Sequence, residues 1–107
     1  VSPSGYAMNL TDGILRARYR ESRTDPTLLT PNKVYRYEID VGVTGNLFRK
    51  GHSIRIEVTS SNFPRFDRNP NTGHVPGMDA EMRPAAQTVH HSREYPSHLV
   101  LPVVPKA

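Results

Sequence analysis

Alternation with a period of two runs through almost every patterned stretch of this chain. Tyr35, Tyr37, Ile39 and Val41 fall in step, with Arg36, Glu38 and Asp40 between them. Ile54, Ile56 and Val58 repeat the arrangement against Arg55, Glu57 and Thr59, and Leu15, Ala17 and Tyr19 against Arg16, Arg18 and Arg20. Successive side chains of a strand point to opposite faces, so this pattern predicts strands with one face buried, Tyr35 and Tyr37 included. Two more strands are expected over residues 86–91 and 98–104. Pro102, which cannot donate to a ladder, belongs at a strand end or a free edge. No helical face of three turns is present. Turn signals separate the runs, among them Thr30-Pro31-Asn32, Lys50-Gly51-His52 and Tyr95-Pro96-Ser97. Five or six short antiparallel strands joined by turns predict an all-β fold, a jelly-roll-like β-sandwich.

At 107 residues the chain is one domain or part of one. A hydrophobic content of 36% is low for a self-sufficient domain, so the core is modest and every apolar face needs cover. Residues 5–10 already resemble a hairpin strand with no partner before it. The sandwich is therefore expected to be incomplete at its N-terminus, with an open edge that invites self-association or a domain swap.

The net charge is +4, and eleven of the fourteen cations are arginine, which favours planar pairing with carboxylates over a diffuse basic field. The one basic run interleaved with an aromatic, Arg16-Ala17-Arg18-Tyr19-Arg20, puts its arginines on one face of a strand, a solvated or ion-paired face; no nucleic-acid partner is expected. Cysteine is absent, which rules out a disulfide framework and a cysteine zinc site. No run approaches the roughly 20 apolar residues of a membrane span, and no membrane partner is expected. No signal segment is visible either; the compartment stays open, with the cytoplasm slightly favoured.

Little in the chain suits catalysis. A nucleophilic serine usually sits in a G-x-S-x-G elbow, and none occurs. Ser60 and Ser61 are separated from His52 by a predicted strand of roughly 25 Å. His90 and His91 are adjacent and would point to opposite faces, so they cannot share an ion. His98 lies across a turn from them, and two histidines without a placed carboxylate make a weak metal site. A glycan-binding jelly roll would display flat aromatics, yet there is no tryptophan. No catalytic, cofactor or metal residue is assigned. The segment 60–73, "SSNFPRFDRNPNTG", is the remaining candidate. Its Asn62, Asp67, Asn69 and Asn71 are turn formers. Phe63 and Phe66 flanked by Arg65 and Arg68 have the composition of an interface. Asn62, Phe63, Arg65, Phe66, Asp67 and Arg68 are therefore the expected interdomain or cleft-rim contacts.

Four stretches carry a family resemblance: "DGILRARYRES" (12–22), "GHSIRIEVTSSNFPRFDRNPNTG" (51–73), "AAQTVHH" (85–91) and "YPSHLVLPVVP" (95–105). In this order, and over nearly the whole chain, the sequence resembles the C-terminal domain of the Xaa-Pro dipeptidyl-peptidase and cocaine-esterase-like serine hydrolases. The resemblance implies a galactose-binding-like jelly roll that holds none of the Ser-Asp-His triad and needs no cofactor. It implies a partner, the α/β-hydrolase domain that precedes it in relatives, and a role in packing on that domain and shaping its substrate cleft. Residues 1–7, Val-Ser-Pro-Ser-Gly-Tyr-Ala, match a segment that follows the first several strands in the family, in line with the expected incompleteness. The alternative is a stand-alone glycan- or ligand-binding jelly-roll module.

Overall fold

In a computed structural model, which describes residues 1–105, the alternating stretches do not pair. Among the described residues there is no strand, and regular structure is confined to a single 3-10 turn, Ala17–Tyr19. The expected all-β, jelly-roll-like β-sandwich is corrected accordingly. Alternation describes side-chain character, whereas a strand exists only when its backbone N–H and C=O groups meet those of a neighbour. Here the backbone bonds are turn closures and a few longer links, such as the reciprocal pair in which Ser53 N–H meets the Val1 carbonyl at 2.9 Å and the Val1 amino group meets the Ser53 carbonyl at 2.6 Å. Without a sheet among the described residues there is no open sheet edge there, and the expected self-association loses its basis.

Burial explains why the pattern does not organise the chain. No described residue is buried. The accessible surface is 10087 Å², whereas a 12.0 kDa chain folded as two separate well-packed halves would expose roughly 7,200 Å². Ile54, Ile56 and Val58, assigned by their spacing to one inner face, are all more than half exposed. Tyr37 is exposed and Tyr35 half-buried, so the expected burial of that stretch is corrected as well. Full burial of one such aliphatic side chain is worth about 1.5–3 kcal/mol, and most of that gain is not realised here. Local polar closures hold the structure instead.

The chain divides into two units, Val1–Glu57 and Val58–Ala107. In the first, two of the predicted turns form as expected. Lys33 N–H reaches the Thr30 carbonyl at 3.3 Å with Asn32 at φ 63°, and His52 N–H reaches the Arg49 carbonyl at 3.1 Å with Gly51 at φ 83°. Gly13 lies so close to Asp40 that a Cβ there would collide with the Asp40 carbonyl. Beside it the Thr11 hydroxyl donates to the Val41 carbonyl.

The predicted strand over Leu15, Ala17 and Tyr19 is instead the 3-10 turn, and Arg20 accounts for it. Its guanidinium folds back to donate to the Ala17 carbonyl at 3.0 Å and the Thr27 carbonyl at 2.7 Å. It also lies 4.6 Å over the Tyr35 ring. The backbone bond from Thr27 N–H to the Arg18 carbonyl, 2.8 Å, closes the same corner. Arg16, Arg18 and Arg20 therefore do not share the face that alternation assigned them.

Candidate functional site

The second unit contains the six interface candidates, and it folds their segment locally. The Phe63-Pro64 peptide is cis, and Phe66 N–H closes the turn onto the Asn62 carbonyl at 3.0 Å. Two arginine–phenylalanine stacks follow. Arg68 lies 4.5 Å over the Phe63 ring and Arg65 lies 5.5 Å over the Phe66 ring. Phe63 is 57% exposed, Phe66 is half-buried, and Asp67 is exposed. The structure thus gathers Asn62, Phe63, Arg65, Phe66, Asp67 and Arg68 into one knuckle, apolar at its centre and cationic at its rim. Nothing in it is arranged for bond breaking. The neighbouring Ser61 is tied into a turn, its N–H donating to the Thr59 hydroxyl at 3.4 Å and its carbonyl accepting from the same group at 3.3 Å.

The histidines weighed in the sequence make short-range contacts. His90 packs against Tyr95 with ring centroids 5.2 Å apart, and the Ser97 hydroxyl donates to the His90 carbonyl. His98 Nδ1 donates to the Pro96 carbonyl at 3.1 Å. The nearby Ser92 hydroxyl serves a turn, its Oγ accepting from Tyr95 N–H at 3.1 Å. Neither these contacts nor those of Ser61 set a hydroxyl against an imidazole.

A cluster that spacing along the sequence does not reveal lies between residues 71 and 83, the stretch with no period. His74 Nδ1 sits 2.6 Å from Asp79 Oδ2, and Asp79 Oδ1 accepts the Glu81 N–H at 2.8 Å. The Glu81 N–H, and then the His74 side chain, hold the Asp79 carboxyl below the ordinary aspartate range. Glu81 Oε1 pairs with Arg83 Nε at 2.7 Å. The segment is closed at its base by Arg83 N–H to the Pro70 carbonyl, 2.9 Å, and Asn71 Nδ2 to the Arg83 carbonyl, 3.0 Å. Asn71 is a turn former, which was the legible signal. The approach of His74, Asp79 and Glu81 depends on a chain reversal that no motif announces.

The first unit holds two further features. A cavity of about 220 Å³ is lined by Tyr6, Met8, Leu10, Leu47 and Phe48 together with polar residues that include Arg49 and His52. Around Tyr35, Arg20 and Lys33 both stand over the ring, at 4.6 and 5.2 Å. Hydrogen bonds from Thr30 lower the phenol's pKa, and the charges of Lys33 and Arg20 add to the effect. A ring with cations on it offers no flat platform for a sugar. No helix among the described residues is long and apolar enough to cross a membrane.

Comparison with known proteins accords with the sequence resemblance. Residues 1–100 match the protein family described as the X-Pro dipeptidyl-peptidase C-terminal non-catalytic domain. Over 106 residues the chain is 46% identical to the cocaine esterase of Rhodococcus sp. (strain MB1 Bresler). That match takes in 97% of this chain and 18% of the esterase, so the chain spans less than a fifth of its relative's length. No solved structure matches it significantly.

Proposed function

Because the chain belongs to the family of X-Pro dipeptidyl-peptidase C-terminal non-catalytic domains, we propose that it packs on the hydrolase part of a larger serine hydrolase and shapes the substrate cleft there. The parent's reaction would be acyl transfer to water from a peptide, ester or amide, with a serine nucleophile and histidine base supplied outside these residues. The observation that carries this reading is the family match over residues 1–100, joined to a relative more than five times longer. Two features of the chain support it. Its apolar residues lie uncovered, as expected of surface that a neighbouring domain screens. The Asn62-to-Arg68 knuckle has an exposed aromatic centre with an arginine rim, the composition typical of residues that anchor interfaces.

The test is a graft. This chain replaces the matching segment of the Rhodococcus esterase, and a control carries a flexible linker there instead. Retained esterase activity and protease resistance in the graft, with both lost in the control, are the expected results. A graft as inactive as the linker control would overturn the reading. So would turnover by the isolated chain on ester or aminoacyl-proline substrates well above background.

A further inference from the structure

We propose that His74, Asp79 and Glu81 form a binding site for a divalent transition-metal ion of the zinc type. The proposal is independent of the packing role. One ligand atom from each residue lies within 4.8 Å of the other two. With bonds of about 2.1 Å to nitrogen and oxygen, ligands of a tetrahedral ion lie about 3.4 Å apart, so closure needs the widest pair to approach by up to roughly 1.4 Å, within reach of side-chain torsions at exposed residues. The donor set selects the ion. Calcium and magnesium favour oxygen cages, whereas an imidazole nitrogen beside two carboxylates suits zinc and its neighbours.

The surroundings prepare the ligands unequally. Asp79 is the best placed: its Oδ1 is fixed by the Glu81 N–H, which turns Oδ2 toward His74. A ligand carboxylate oriented by an outer hydrogen bond is a recurring feature of metal sites. The His74–Asp79 contact is the one the ion displaces, since the same nitrogen and oxygen would then face the metal instead of sharing a proton. With His74 more than half exposed, the remaining coordination positions are open to water. Arg83 opposes binding, because its Nε holds Glu81 Oε1 at 2.7 Å and places a positive charge beside the ion. This opposition separates a metal site from a simple network of ion pairs. A variant lacking the Arg83 charge should bind metal better, while a structural network would only be weakened by it.

Calorimetric titration of the 107-residue chain with zinc chloride is the test, with magnesium and calcium chloride as controls. One zinc per chain is expected, with no response to the other two ions. His74→Ala and Asp79→Asn should each weaken binding at least about tenfold, and Arg83→Gln should strengthen it several-fold. His91→Ala combined with His98→Ala should leave it unchanged. Cobalt(II) supplies a second readout, its visible absorption appearing with the parent chain and fading with His74→Ala. No zinc uptake, uptake indifferent to His74→Ala, uptake abolished by the His91 and His98 changes, or weaker binding by Arg83→Gln would each overturn the proposal.

Discussion

Arginine meets an aromatic ring in two places, and the two places use the contact differently. At Arg20 the guanidinium is turned inward: its side chain is only 7% exposed, two backbone carbonyls accept from it, and Tyr35 lies beneath it. At Arg65 and Arg68 the cations lie over Phe66 and Phe63 in an exposed loop. The stacking distance over Tyr35, 4.6 Å, is almost the same as that over Phe63, 4.5 Å. What differs is the access of water: the Arg20 side chain is enclosed, whereas Arg65 and Arg68 are exposed. The first arrangement shapes its own chain, and the second is presented outward. Arg20 carries one imperfection: its Nε stands 3.3 Å from Glu21 Oε1, close enough for charge attraction but without a directed hydrogen bond.

The sharpest way to break this contrast is Arg20→Ala. Loss of two charge-assisted bonds and the ring contact should lower the free energy of local opening of the Arg16-to-Tyr35 corner by about 2 kcal/mol. It should be seen as faster amide exchange at Tyr19 and Thr27. An effect no larger than that of Arg68→Ala would erase the distinction. In the esterase graft, reversing both loop charges with Arg65→Glu and Arg68→Glu should shorten the half-life of activity on heating several-fold. An unchanged half-life would show that the knuckle faces solvent. In the isolated chain, Arg68→Ala alone should cost less than about 1 kcal/mol, the range of exposed cation–π contacts, as judged by amide exchange around Phe63.

The smallest expected effects are pH dependences. The Tyr35 phenol has a pKa below its ordinary value of 10.0. Its ionised form is favoured by the folded corner, so it adds stability as pH rises through the lowered value toward 10. Phenolate absorbance should appear earlier for Tyr35 in the folded chain than in the chain unfolded by denaturant, and equal titration would count against the Thr30 hydrogen bond to the phenol. Asp79 is likewise held below its ordinary value of 3.8. Its contribution is present above that value and is lost as pH falls through the lowered one. Asp79→Asn should abolish this acid-side loosening of residues 71–83, followed by the ring signals of His74.

The sequence was legible where the physics is local. Asn32 and Gly51 adopt positive φ at the turns that Thr30-Pro31-Asn32 and Lys50-Gly51-His52 mark, because turn residues act through their own backbone preferences. That Phe63, Arg65, Phe66 and Arg68 share one loop was legible too, since they are near neighbours, but their stacking was not. The strands were not, because pairing is a property of two segments and alternation a property of one. Nor was the inward turn of Arg20, which depends on Thr27 and Tyr35 coming within its reach, or the meeting of His74 with Asp79 and Glu81.

By itself the sequence established the family, the absence of a nucleophile elbow, the arginine-rich charge and the positions of the turns at Asn32 and Gly51. These follow from residue identity and spacing within a few residues. Only the tertiary structure decided that the alternating faces stay uncovered, that Arg20 closes a corner and that three ligand-type side chains converge in the least patterned loop. Each of those outcomes depends on which distant groups come within a few ångströms. Hydrogen bonds and apolar burial act only at such distances, so the chain path determines which of them form.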